Sequence, residues 1–115
     1  MNLNNFTIKA QEAIQKAQEI AAGFRHQQIE NAHLLKGMLS VDENVVPYLL
    51  QKMNVNLPVF NKALDNILES FPKVAGGEQY LSRDTNYAIT SATDIAKKSG
   101  DEFAAIEHLL MGILS

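Results

Sequence analysis

Cysteine is missing from these 115 residues, and with it go disulfides, thiolate metal sites and cysteine nucleophiles. Tryptophan is missing as well, and proline occurs only three times. A basic excess is lacking: ten Lys and Arg face thirteen Asp and Glu, for a net charge of −3, so no electrostatic footprint for a nucleic-acid backbone exists. No stretch has the apolar length of a membrane span, and the opening Met-Asn-Leu-Asn-Asn-Phe-Thr lacks the basic start and apolar run of a secretory signal. These absences point to a cytoplasmic protein with no nucleic-acid and no membrane partner. The six glycines, at 23, 37, 76, 77, 100 and 112, form neither G-x-x-x-x-G-K-S/T nor G-x-G-x-x-G, so no phosphate cradle and no bound cofactor is expected in this chain.

What the chain does have is hydrophobic residues at 46% and an internal echo. Its length allows one domain, or two half-sized units sharing a core. Residues 6–40 laid without a gap on 81–115 match at Ala13/Ala88, Ile14/Ile89, Ala17/Ala92, Ile20/Ile95, Ala21/Ala96, His33/His108, Leu34/Leu109, Leu35/Leu110, Gly37/Gly112, Leu39/Leu114 and Ser40/Ser115. The first five pairs share the spacing of one helix face, and the rest form a second, shorter helix. This is an internal duplication.

Helical periodicity runs through the remainder. Phe6, Ala10, Ala13, Ile14, Ala17, Ile20, Ala21 and Phe24 form one long apolar stripe, capped by Asn5 or Thr7. Asn31 is expected to cap a second helix, His33 to Ser40. A third spans Val45 to Met53, with Pro47 tolerated in its first turn. Asn56 opens a fourth, with Leu57, Phe60, Leu64, Ile67 and Leu68 facing inward and Phe71-Pro72 closing it. Ser82 caps a fifth, which Ser99-Gly100 ends. Nothing alternates at period two, so the fold is expected to be all-α. Repeat one then covers 1–71, a linker with Gly76-Gly77 as a hinge covers 72–80, and a partial repeat two covers 81–115. The first copy has four helices and the second only two. A further helix pair is expected beyond Ser115, covering Leu109, Leu110, Ile113 and Leu114.

Chemistry finds little purchase. Glu30-Asn31-Ala32-His33 spells E-x-x-H, a ligand pair of carboxylate-bridged metal bundles, but Ala105 stands where the second copy would need its carboxylate. His33 and His108, near helix starts beside apolar residues, suit backbone or neighbouring polar partners better than a metal. No G-x-S-x-G elbow accompanies the serines. Asp101, Glu102 and Glu107 lie around a helix start, where acidic residues usually complement the helix dipole.

Phe-Thr-x-Lys-Ala-Gln-Glu-Ala-Ile at 6–14, Ile29-Glu30 leading to His33-Leu34-Leu35, and Gly100-Asp101 leading to Glu107-His108-Leu109-Leu110 resemble the Clp repeat domain. That domain is the amino-terminal domain of Clp-family AAA+ unfoldases, and the resemblance covers residues 1–115 in order. It implies a pseudo-twofold duplicated bundle of two four-helix repeats, the second here lacking its last two helices. It also implies downstream ATPase modules using ATP and magnesium in a homohexameric ring. The opening residues are most similar to the disaggregating branch, whose clients are exposed apolar segments of unfolded or aggregated polypeptides. That branch enlists the DnaK chaperone system through other domains.

Thr7, Asp101 and Glu107 match the family's substrate-facing region, and Ile95 with its neighbours would line an apolar groove beside them. Thr7 suits a plain helix cap equally well, and the two roles coexist. The alternative is a docking platform for adaptors or substrates of a protease-serving branch, which recognises phosphorylated arginine and often has Gly-Thr-Glu-His before the Leu pair in both repeats. Here copy one reads Glu30-Asn31-Ala32-His33 and lacks that Glu, while copy two reads Ala105-Ile106-Glu107-His108 and lacks the Thr. Ile106 is a poor cap, so the last helix start is expected to be less well fixed than its twin.

Overall fold

The computed structural model describes residues 2–115, and among them six helices carry the fold: α1 Ile8–Gly23, α2 Asn31–Val41, α3 Val45–Lys52, α4 Leu57–Ser70, α5 Arg83–Lys98 and α6 Ile106–Leu114. The fold is all-α. Two short strands, β1 Gln28–Ile29 and β2 Tyr80–Leu81, pair in parallel, a feature too brief for alternation to reveal in the sequence.

The helix starts follow from side-chain chemistry. Thr7 accepts from the Ala10 amide at 3.2 Å, and Ser82, its counterpart in the second copy, accepts from Thr85 at 3.1 Å. Each satisfies one amide that the helix itself leaves unpaired. Asn56 does the same for Val59. The start of α2 differs from expectation: Glu30 is its cap position and Asn31 its first residue. A ring nitrogen of His33 accepts the cap residue's own amide there, while the His33 amide donates to the Glu30 carbonyl, so the start is fixed without the Asn31 side chain. Gly100 ends the α5 segment with a positive φ of 79°, a conformation that costs other residues a steric clash.

The two copies pack by one device. Ala10, Ala13, Ala17 and Ala21 of α1, and Ala88, Ala92 and Ala96 of α5, are buried against α2 and α6 respectively. Small side chains let the helix backbones meet. A Cβ on Gly37 would stand 2.6 Å from the Ala13 carbonyl oxygen, and one on Gly112 would collide with the equivalent Ala88 oxygen. The glycines shared by both copies are therefore demanded by close approach.

The copies also exchange backbone bonds across a pseudo-twofold axis. Thr7 N–H donates to the Ala104 carbonyl at 2.9 Å, and Ser82 N–H donates to the Ile29 carbonyl at 2.9 Å. Phe6 bridges Ala104 just as Leu81 pairs with Ile29. Each copy's first-helix entrance is thus bonded to the segment before the other copy's second helix. One core runs between them, with Phe6, Ile14, Leu34, Met38, Ile89, Leu109 and Leu110 among its members. A smaller cluster seats Leu64 and Leu68 of α4 on Ala32, Ile20, Phe24 and Phe71.

Two expectations change here. Leu109 and Leu110 are already buried inside the shared core, because α6 packs on α1, α3 and α5. Ile67 is exposed, since α4 turns only Leu64 and Leu68 fully inward. The 72–80 linker is bonded to copy one through Val74 N–H on the Arg25 carbonyl and the Gln79 amide on the Gln18 carbonyl.

Candidate functional site

The bond between Thr7 and Ala104 decides where the candidate residues lie. Ala104 sits three residues from Asp101 and three from Glu107, so pairing it with the α1 entrance brings all three expected positions to one seam. Thr7 is half-buried and spends its hydroxyl on the α1 cap. Glu107 is half-buried in the first turn of α6, where its charge complements the helix dipole. Asp101 follows Gly100 in the turn after α5, and its amide donates to the Ala96 carbonyl at 2.9 Å. Ile95 is half-buried on the last turns of α5, close in the chain to that bond. None of the five principal clefts is lined by Thr7, Ile95, Asp101 or Glu107. Asp101 and Glu107, on either side of Ala104 in the chain, form the acidic rim of this seam, and Ile95 lies on α5 one residue before the Ala96 carbonyl that accepts the Asp101 amide.

Two apolar residues at this seam escaped the periodicity. Ile8, next to Thr7, is 76% exposed, and Phe103, next to Ala104, is 46% exposed. Ile8 falls off the Phe6–Ala10–Ala13 stripe, which was the available signal: an apolar residue on the wrong helix face has no core to enter. Phe103 sits in the irregular turn before α6 and carried no period at all.

The helix-start histidines share a geometry. Glu30 N–H donates to His33 Nδ1 at 2.8 Å, and Ala105 N–H donates to His108 Nδ1 at 2.8 Å. The ring takes the place that Glu or Gln holds in a capping box. Ala105, not Ile106, is therefore the cap position, and the α6 start is held as firmly as its twin. A nitrogen that accepts carries no proton, so each ring keeps its proton on Nε2.

Here the copies diverge. His33 Nε2 stands 2.8 Å from His26 Nδ1, while His108 Nε2 stands 3.2 Å from Asp101 Oδ2. His26 and Asp101 are equivalent positions, each seven residues before its histidine. His26 is 3% exposed, stacked on Phe24 at 5.1 Å and edge-on to Phe71 at 5.5 Å. The side chain of Asp101 is 54% exposed. Burial, with His26 as neighbour, pushes the His33 pKa down to about 4, although the Glu30 backbone bond opposes the change. Burial also lowers His26, helped by Lys73 and opposed by Glu69. Both nitrogens of His33 are engaged in protein hydrogen bonds, which leaves no lone pair of that ring for a metal. Among the described residues no group of three or more potential metal ligands gathers.

The seam's symmetry mate is Ser82, His26 and Ala32. It holds no carboxylate, and Ala32 is buried under α4. At the Thr7 seam the acids Asp101 and Glu107 stand beside the exposed Ile8 and Phe103.

Comparison with known proteins agrees with this architecture. The model of the Clp repeat (R) N-terminal domain family matches residues 5–115. The chain is 45% identical to the chaperone protein ClpB of Bacteroides thetaiotaomicron over 115 residues, all of this chain and 13% of that protein. It is 40% identical to ClpB of Porphyromonas gingivalis over the same share of each. The crystal structure of the Hsp104 N-terminal domain from Candida albicans superposes with a TM-score of 0.87 at 21% identity, covering 97% of this chain and 75% of that one. The chain thus spans about an eighth of the length of the curated relatives it matches.

Proposed function

The chain belongs to the Clp repeat N-terminal domain family, and from that premise we propose that it engages exposed apolar segments of unfolded or aggregated polypeptides on behalf of a ClpB-type disaggregase. The observation that carries the reading is the Thr7–Ala104 bond, which gathers Thr7, Asp101 and Glu107 beside the exposed Ile8 and Phe103. An extended client lays apolar side chains on Ile8, Phe103 and Ile95, while the two carboxylates take its basic side chains or backbone amides. Open apolar surface with an acidic rim suits many sequences, because it demands no single shape.

Binding energy is all this chain contributes; its residues perform no step on the client. ATP and magnesium belong to ATPase modules outside this chain, arranged as a homohexamer in the cytoplasm. The DnaK system meets the parent through other domains. Within the chain, repeat one (1–71) and repeat two (81–115) act as one body joined by 72–80, because their backbones exchange bonds at both seams.

Fluorescence anisotropy with labelled unfolded casein, and separately with a phosphoarginine peptide, tests the reading. Casein binding is expected, and Glu107→Ala is expected to weaken it while circular dichroism stays helical. A chain that takes the phosphoarginine peptide and ignores casein overturns the proposal.

A further inference from the structure

His108 connects two things that the client site needs held together. Its Nδ1 takes the Ala105 amide, which opens the helix from which Glu107 projects. Its Nε2–H points at Asp101 Oδ2, 3.2 Å away. The His108 side chain is only 9% exposed, so it meets no client itself. Asp101 is the reverse: one oxygen is held from within, and just over half of its side chain faces solvent. Because Nδ1 is occupied as an acceptor, the contact is a neutral imidazole donating to a carboxylate, and the full negative charge of Asp101 stays available at the rim.

We propose that His108 is a positioning residue, which fixes the Asp101 carboxylate relative to Glu107 and so sets the spacing at which the rim meets basic or amide groups of a client. The inference rests on the client-binding reading above. Copy one supports it by contrast. The same ring, the same 2.8 Å bond to the cap amide and the same seven-residue reach end there on His26, sealed between Phe24 and Phe71, with no charge delivered to the surface. The local device is common to both copies, and the exposed carboxylate is peculiar to the second.

Two variants separate positioning from helix capping. His108→Glu keeps an acceptor for the Ala105 amide, but replaces the donor facing Asp101 with a like charge. His108→Gln keeps both an acceptor and a donor in one neutral amide. Casein affinity measured by anisotropy is expected to fall roughly tenfold in His108→Glu, the scale of one lost charge-assisted hydrogen bond. His108→Gln is expected to stay within about threefold of the parent chain. Asp101→Asn combined with His108→Glu is expected to lose no more than Asp101→Asn alone, since His108 acts on the client only through the Asp101 carboxylate.

A folded His108→Glu chain that binds casein as tightly as the parent overturns the inference alone, as do fully additive losses. A parent chain that binds no casein overturns the client reading and this inference with it. One readout is independent of any variant's folding: ring-nitrogen NMR of the unaltered chain. The His108 signals are expected to show the Nε2–H tautomer and to move on titration with a short apolar peptide containing one arginine. Signals of the other tautomer, or signals unmoved at saturation, overturn the assignment.

Discussion

Acid should weaken this domain through His33. The ring is fully buried against His26 and Phe71, and its pKa is down from 6.5 to about 4. Above pH 6.5 neither the folded nor the unfolded chain protonates this residue, so its contribution to stability is complete. Between 6.5 and 4 the unfolded chain takes up a proton that the folded chain refuses, and stability falls with pH. Below 4 both states are charged and the loss levels off. At ~1.4 kcal/mol per pH unit, the whole window amounts to roughly 3 kcal/mol. Total stabilities of small domains are about 5–15 kcal/mol, so the effect is large enough to measure. His26 shifts in the same direction and adds to the slope.

Urea unfolding at several pH values between 7 and 4, on the parent chain and on His33→Gln, isolates this contribution. Glutamine retains an acceptor for the Glu30 amide and removes the titrating ring. The variant is expected to be less stable at pH 7, with a gap that narrows by up to about 3 kcal/mol as pH approaches 4. The carboxylates titrate in both chains and cancel from the difference. Parallel stability curves for the two chains across the window would refute the reasoning.

The shared glycines yield a second expectation. Gly37→Ala and Gly112→Ala should each lower the urea midpoint: pushing a methyl against the α1 or α5 main chain costs about 1–3 kcal/mol, more than the ~1 kcal/mol that alanine gains in helix propensity. Gly23→Ala is the control, with nothing within 4 Å of its new Cβ, and should leave the midpoint unchanged or raise it. Equal effects at all three positions would defeat the close-approach argument. The caps supply a third: Thr7→Ala and Ser82→Ala should each cost about 1 kcal/mol in thermal or urea unfolding. Thr7→Ala should additionally weaken casein binding, which Ser82→Ala should leave alone; equal binding by the two variants would contradict the assignment of the client to one seam.

Much of this was legible because it is written in local chemistry. Thr7, Asn56 and Ser82 cap helices with their own side chains, and the alanine stripes announce which faces meet. The Glu30 start was misread because the group that fixes it belongs to a residue three places later. The burial of Leu109 and Leu110 was hidden because it depends on α6 lying against α1 and α3, a contact between distant parts of the chain. The parallel pairing of β1 with β2 spans two residues and leaves no period to detect. For the site, the duplication supplied the decisive hint: equivalent segments before α2 and α6 must occupy equivalent places. That Thr7 belongs beside 101–107 became physical only with the exchanged bonds at Ala104 and Ile29.

The divergence of His26 from Asp101 follows from burial. A residue seven places before each helix-start histidine must accept an Nε2–H, and a carboxylate is the stronger acceptor. At position 26, however, the acceptor lies between Phe24 and Phe71 and is almost wholly excluded from water. An ionised aspartate there would lose its hydration with only a neutral imidazole in return, at a cost of several kcal/mol. Neutral imidazole avoids that penalty and still accepts the bond, though its own Nε2 is left buried without a partner. At position 101 the turn after Gly100 leaves the side chain in contact with water, so the carboxylate keeps its hydration on one side and its hydrogen bond on the other. The same pressure therefore places an uncharged ring at position 26 and leaves position 101 able to display acid, and the proposed client face rests on that difference between the copies.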